Sequence, residues 1–359
     1  MKNIEETFTK PLLKWFDKYG RKNLPWKNSI NPDPYKIWIS EIMLQQTRLK
    51  TVIPYYNRFI NKFPNIQYLA EASEEEILLH WSGLGYYNRA INLIKTSKII
   101  WNKYNGNFPN QIKFLIKLPG IGPSTAAAII SQAFNLPKAI LDTNAKRVLY
   151  RYFNLSYIDN QKHLNIKLIN LANKCVSKKR SADYTQAIMD LGFFHCKSRY
   201  PNCITCPLHI NCISKKNKII PPLSYKNHNK KNITKCKKFL LIYNSYNEIF
   251  LIKQSYKKLW PKLWTIPYID FKISIKEYIE NKYNLNNIKN IYLLTKFKYP
   301  ISNFILNVKS IAIQIESNHT FTNKKSNIKK WLKINKLNKI GLSKISIKII
   351  DYFKTYTKK

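Results

Sequence analysis

Four cysteines fall within one short segment of a 359-residue chain, spaced Cys196-x6-Cys203-x2-Cys206-x5-Cys212. Pro201 and Pro207 keep the intervening residues out of a helix, so the segment must loop and can wrap its four sulfurs around one centre. The opening Met1-Lys2-Asn3-Ile4-Glu5-Glu6 has no apolar signal core, which points to a cytoplasmic chain. Thiols stay reduced there, so the cluster reads as metal ligands rather than disulfides. Spacing alone admits two centres, an iron–sulfur cluster and a tetrahedral zinc ion. Cys175 and Cys236 stand apart and read as small apolar residues.

The length allows two domains with cores of their own. No apolar stretch is long enough to span a membrane. Apolar residues at spacings of three and four predict helices over Ile4–Tyr19, Tyr35–Lys50, Glu74–Trp81, Asn88–Tyr104, Ser124–Phe134 and Asn144–Phe153. Residues 1–213 therefore read as a helical domain. Residues 214–235 are rich in Lys and Asn around Pro221-Pro222 and read as a linker. In 236–359 the pattern changes to strands (Phe239–Tyr243, Ile249–Lys253, Tyr292–Leu294, Ile305–Ile315) with helices over Ser274–Tyr283 and Ser343–Thr355, which predicts an α+β domain.

The net charge of +43, from 62 Lys+Arg against 19 Asp+Glu, favours a polyanionic partner, nucleic acid first. The abundance of Lys, Asn and Ile with only 8 Gly equally reads as compositional bias on solvated faces.

Leu118-Pro119-Gly120-Ile121-Gly122-Pro123-Ser124 is a tight turn between two helices, its glycines expected to permit positive φ. The free N–H groups there and the following helix start form a phosphate seat. Asp142, twenty residues after Gly122, is a helix N-cap, a site carboxylate, or both. On the helix opened by Asp33 and Pro34, Glu41 shares the face of Ile37, Trp38 and Leu44. An ion is costly there, so its pKa should rise and leave it protonated near neutrality, unless an arginine pairs with it.

The hairpin, the downstream Asp142 and the four cysteines together resemble the helix–hairpin–helix glycosylases of the endonuclease III superfamily. Within it, Leu24-Pro25-Trp26, Ser40-Glu41-Ile42-Met43-Leu44-Gln45-Gln46-Thr47, Trp81-Ser82-Gly83-Leu84-Gly85-Tyr86-Tyr87-Asn88-Arg89-Ala90 and Met189-Asp190-Leu191-Gly192 resemble the adenine DNA glycosylase (MutY) family. The resemblance runs from Leu24 to Cys212 and is looser beyond. It implies a mainly α helix–hairpin–helix fold with a [4Fe–4S] loop, followed by an α+β Nudix-like domain.

That resemblance also implies roles. Glu41 protonates adenine and activates water, Asp142 stabilises the sugar cation, and Asn144 orients the pair. Gln45, Gln46 and Tyr86 enter the duplex as the base flips, although Tyr86 and Tyr87 also read as aromatic core. Gly120, Gly122, Ser124 and Lys146 face the DNA backbone, and Cys196, Cys203, Cys206 and Cys212 hold the cluster. Relatives that also cut the strand carry a lysine where this chain has Ser124, so a hydrolase that leaves an abasic site is implied. The family's Phe-Ser-His lesion loop corresponds to Ile301-Ser302-Asn303, which keeps only the Ser302 hydroxyl. The implied partner is double-stranded DNA with adenine opposite 8-oxoguanine or guanine, bound by a monomer in the bacterial cytoplasm at the nucleoid. The rivals are a pyrimidine-lesion glycosylase with lyase activity, disfavoured by Ser124, and a non-catalytic DNA-binding protein, disfavoured by Glu41 and Asp142.

Overall fold

Spacings of three and four carry through the first two-thirds of the chain, and helices form wherever they do. The computed structural model describes residues 3–27, 32–155, 161–218, 233–256, 259–301, 304–316 and 328–357. A π-helical turn, Glu5–Thr9, leads into α1 (Lys10–Tyr19), followed by α2 (Pro34–Leu44), α3 (Leu49–Lys62), α4 (Ile66–Glu71), α5 (Glu74–Trp81) and α6 (Asn88–Tyr104). After them come α7 (Ile112–Leu115), α8 (Pro123–Phe134), α9 (Thr143–Tyr152), α10 (Gln161–Cys175), α11 (Ser181–Phe194) and α12 (Ile213–Lys216). No helix among the described residues is long and apolar enough to cross a membrane. Packing divides the chain into one unit of Met1–Glu71 with Asn92–Lys226 and another of Ala72–Ile91 with Asn227–Lys359.

The single helix expected over Tyr35–Lys50 is two. The chain leaves α2 at Gln45 (ψ 114°), Gln46 takes φ +57°, and α3 starts afresh at Leu49. Apolar periodicity continues through the break, so the pattern hides it; the left-handed Gln46 makes it. Most of the other expected helices begin and end within a residue or two of the predicted bounds.

In the first unit, Phe8, Leu12 and Phe16 pack with Val148, Leu149 and Tyr152 of α9 and with Ile188 and Leu191 of α11. A carboxylate is buried with this core. Asp190 on α11 accepts from the backbone N (2.8 Å), Nε (2.8 Å) and Nη2 (2.5 Å) of Arg21 and from Gln186 Nε2 (2.8 Å). A buried carboxylate stripped of such partners is strongly destabilising, so this cluster fixes the segment after α1, which carries Leu24 to Lys27.

The second unit contains a seven-stranded sheet of β1 (Ile233–Tyr243), β2 (Glu248–Lys253), β3 (Trp264–Thr265), β4 (Tyr268–Asp270), β5 (Ile288–Ile301), β6 (Phe304–Ile315) and β7 (Lys329–Lys333). Its main path is β3-β2-β1-β6-β5, with β4 pairing β1 and β7 pairing β2. The central pair β1/β6 is parallel, in register from Ile233↔Phe304 to Tyr243↔Gln314. Successive side chains on a strand point to opposite faces. Phe239 and Leu241 accordingly join Ile345, Ile349 and Phe353 of α14 (Lys344–Tyr356), and Leu240 and Ile242 join Ile279 and Tyr283 of α13 (Ile275–Tyr283). Helices on both faces explain why Phe239–Tyr243 of β1 reads as an unbroken apolar run.

The strand expected over Tyr292–Leu294 runs from Ile288 to Ile301, because backbone pairing with β6 recruits polar residues that periodicity skips. Cys175 is buried as expected, whereas Cys236 is exposed on β1. Of the expected linker, 219–232 lie outside the described residues; its first residues extend α12 and its last join β1. α5 packs within the second unit, Trp264 Nε1 donating to Glu75 Oε1 (2.7 Å) and Ser82 Oγ to the Leu342 carbonyl (2.8 Å).

Candidate active site

Asp33 caps α2 by accepting from Tyr35 N (2.9 Å), with Pro34 in the first turn. This start sets the helix phase, burying Ile37, Trp38 and Met43 and leaving Glu41 half-buried beside them. Burial pushes the Glu41 carboxyl up to about 7, and the negative charge of Asp142 adds to the rise. Two groups pull the other way. Gln132 Nε2 on α8 donates to Glu41 Oε1 at 2.7 Å, and the Lys27 ammonium attracts the ionised form. Lys27 is itself lowered to about 8 by burial, against the attraction of Asp183, Asp190 and Glu41. The arginine partner considered for Glu41 is therefore replaced by a glutamine and a lysine.

Asp142 is the N-cap that its sequence admits. Its Oδ1 accepts from Ala145 N (2.7 Å) as the N-cap of α9, while Asn144 Nδ2 donates to Oδ2 (3.2 Å). Burial raises its pKa, opposed by these bonds and by the Arg147 charge. Asn144 is held in turn: its Oδ1 accepts from Arg147 Nη2 (2.8 Å), and that guanidinium also donates to the carbonyls of Gly192 (2.6 Å) and Cys196 (2.5 Å). One turn on, Arg151 donates to the carbonyls of Lys197 (2.6 Å) and Ser198 (3.1 Å). Helix α9 thus carries the site carboxylate at its start and clamps the cysteine segment along its length.

Gly192 makes that arrangement possible. A Cβ there would lie 2.6 Å from Asn144 Cβ and 3.1 Å from Asn144 Cα. Gly192→Ala is expected to displace α9 from α11 and lower stability by about 1–3 kcal/mol, the usual cost of overpacking. Thermal melting measures this, and Asn144→Gly in the same chain should recover part of the loss through a coupled pair.

In the hairpin, Gly120 takes φ +80° and a Cβ there would meet Asn92 Cβ at 2.9 Å, so glycine is required. Gly122 differs from expectation. It has φ −84° as the exposed N-cap of α8, and nothing lies within 4 Å of its missing Cβ. Ser124 sits half-buried in the first turn of α8. Gln45 is tied to the turn, its Nε2 donating to Thr125 Oγ1 (3.2 Å) and the Gly120 carbonyl (3.4 Å), while Gln46 is exposed. Lys146 Nζ donates to Asn165 Oδ1 at 3.2 Å.

In the second unit the two neighbouring tyrosines separate. Tyr87 is buried, its hydroxyl accepting from Gly83 N (3.1 Å). Tyr86 is 44% exposed at φ +50°, its ring covered by the Arg89 guanidinium at 5.3 Å. Ser302 lies outside the described residues.

Cys196, Cys203, Cys206 and Cys212 line one cavity together with Arg151, Pro201 and His209. Burial raises the thiols of Cys203, Cys206 and Cys212, Cys206 to about 12, so they would ionise only as ligands of a bound cation. Among the described residues no three His, Cys, Asp or Glu side chains converge closely enough to hold a single metal ion.

Glu41, Asp142 and Asn144 are thus brought into one charged network. Sequence reasoning missed Lys27, Gln132, Arg147 and Arg151. The spacing of Arg147 and Arg151 on α9 puts them on one face, which was a readable signal; nothing in the local sequence marks Gln132.

The model of the HhH-GPD superfamily base excision DNA repair protein matches residues 39–174. The chain is 41% identical to the adenine DNA glycosylase of Buchnera aphidicola subsp. Baizongia pistaciae over 97% of either chain. It is 36% identical to the human adenine DNA glycosylase over 57% of this chain and 39% of that one. Among solved structures, a thermostable thymine-DNA glycosylase superposes with a TM-score of 0.55 at 29% identity, covering 60% of this chain and 97% of that chain. A non-covalent endonuclease III–DNA complex, with a TM-score of 0.51 at 24% identity over 61% of this chain and 99% of that one, shares the fold.

Proposed function

Because the chain belongs to the adenine DNA glycosylase family, a family of DNA N-glycosylases of base excision repair, we propose that it releases adenine through Glu41 as acid and Asp142 as counter-charge. The observation that carries this reading is the contrast between the two carboxyls. Glu41 is poised at about 7 by burial, so it holds a proton for a substantial fraction of time at neutral pH. Asp142 receives two hydrogen bonds that favour its ionised form. Burial raises Asp142 as well, but these bonds and the Arg147 charge oppose the rise, so acid work falls to Glu41 and charge stabilisation to Asp142.

In this scheme Glu41 protonates the adenine ring at N7, turning the base into a neutral leaving group. The C1′–N9 bond breaks with its electron pair going to the base, and the sugar is left cationic. Asp142, steadied by Asn144, stabilises that cation. Glu41, now ionised, takes a proton from the water that attacks C1′, which restores the acid and leaves an abasic site. Ser124 offers no amine to form a Schiff base with the sugar, so strand cleavage requires alkali.

The substrate is double-stranded DNA with adenine opposite 8-oxoguanine or guanine. Tyr86, Gln45 and Gln46 meet the duplex, and Gly120 to Ser124 and Lys146 contact its backbone. The C-terminal residues, from about 236, form a Nudix-like lesion reader in which Ser302 keeps the reading hydroxyl. The protein acts as a monomer in the bacterial cytoplasm, at the nucleoid. Cys196, Cys203, Cys206 and Cys212 would hold a [4Fe–4S] cluster, which supplies a rigid, charged core for the loop carrying Lys197 and Arg199. Their lining of one cavity supports a shared centre. Purified protein should then absorb near ~400 nm, and Cys206→Ser should lose that band.

Single-turnover cleavage of duplexes carrying adenine opposite 8-oxoguanine, guanine, cytosine or thymine, with and without alkali, tests the reading. Alkali-dependent cuts at adenine, fastest opposite 8-oxoguanine, are expected. Equal rates opposite guanine would remove lesion discrimination, and cuts without alkali would overturn the monofunctional chemistry.

A further inference from the structure

Gln132 is a poor choice for the place it occupies. It lies on the buried face of α8 with Ala128 and Ile129, only 3% exposed. Its Nε2 donates to Glu41 Oε1 at 2.7 Å, while its own Oε1 is buried without a hydrogen-bond partner. An amide left half-satisfied in apolar surroundings costs stability, whereas Met or Leu of similar volume would fill the space without that cost. Packing therefore does not require a glutamine here.

The chemistry of the carboxyl does. A carboxyl that cycles between ion and acid needs a hydrogen-bond donor in one state and an acceptor in the other. The charged groups that act on Glu41 are Lys27 and Asp142. The ammonium of Lys27 only donates, and ionised Asp142 disfavours the carboxylate. Gln132 carries a donor and an acceptor on one amide, and a half-turn about its last side-chain bond puts Oε1 where Nε2 stood.

We propose that Gln132 is a positioning residue that holds Glu41 through its proton cycle, donating to the carboxylate and accepting from the carboxylic acid. The proposal rests on the reading of Glu41 as the proton donor. It places the buried Oε1 in use only while Glu41 carries its proton. Donation to the ionised form also holds Glu41 below the pKa to which burial alone would drive it.

Gln132→Met and Gln132→Leu, two variants in case one packs badly, would be compared with the parent and with Glu41→Gln by single-turnover adenine excision across the pH range, alongside thermal melting. The bond to the ionised carboxylate is charge-assisted and about twice as strong as one to the neutral acid, so losing both should move the alkaline limb of the pH–rate profile to higher pH. The plateau rate should fall about tenfold, part of the ~10²–10⁴-fold that a general acid contributes. Melting temperature should stay level or rise, which a merely structural residue would not allow. An alkaline limb that remains at the parental pH in both variants overturns the proposal, whatever the plateau does. Failure of both variants to fold would show that packing requires the amide and overturns it too. Failure of the underlying reading is seen separately: Glu41→Gln would then excise adenine at the parental rate.

Discussion

Glu41→Gln slows single-turnover adenine excision by about 10³-fold while the protein stays folded, in keeping with the ~10²–10⁴ that a positioned proton donor contributes. The substitution is nearly isosteric, and the carbonyl of the introduced amide still accepts from Gln132 Nε2, so the contact between α2 and α8 survives. What disappears is the proton. Stability should move the opposite way from activity at alkaline pH. Glu41 has a folded-state pKa raised to about 7 from its ordinary 4.5. Its contribution to stability is therefore complete below about pH 4.5 and lost as pH rises through about 7. The neutral amide has no such loss, so Glu41→Gln should melt at least as high as the parent above pH 7. Circular dichroism melts at acid and alkaline pH, paired with excision rates, check both halves. Parental rates in the variant would remove Glu41 from the chemistry.

Asp142→Asn separates two roles that one side chain performs. As an N-cap, asparagine equals aspartate, so the bond to Ala145 N at the start of α9 is retained, while the bond from Asn144 Nδ2 is lost and melting should fall slightly. As a counter-charge, asparagine offers nothing to a cationic sugar. Excision should fall about 10²–10³-fold, the range for removing one preorganised electrostatic partner from a transition state. Asp142→Ala adds loss of the cap, about 1 kcal/mol of stability, so its melting temperature should drop further than that of Asp142→Asn. Equal activity loss with unequal melting loss assigns the chemistry to charge. An active Asp142→Asn would return Asp142 to a purely structural role.

Much of this was legible along the chain because the rules involved are local. The α5, α6 and α14 boundaries follow from apolar spacing and from caps such as Ser73 and Ser343. Gly120 could be read from the turn it makes, and its positive φ is present. The same local logic failed at Gly122, where the backbone is ordinary and the side chain is absent from open space rather than from a crowded one. It failed again at Gln45, where α2 ends in the middle of an apolar pattern. The reason lies in the hairpin: Gln45 bonds to Gly120 and Thr125, some 75 to 80 residues away in sequence.

Reading along the chain was enough for several of the helices and strands, the four-cysteine loop, the cap at Asp142 and the placing of Glu41 on an apolar helix face. Each depends on residues within a few positions of one another, where spacing and backbone preference suffice. The state of the site came only with folding. Gln132 reaches Glu41 across 91 positions, and Arg147 joins Asn144 to Cys196 across 49. Such contacts depend on how helices are phased and packed, which no short window of sequence encodes. The same holds for the protonation of Glu41. Its pKa is set by how much water the surrounding elements exclude and which charges they bring near, and both exist only once the chain has folded.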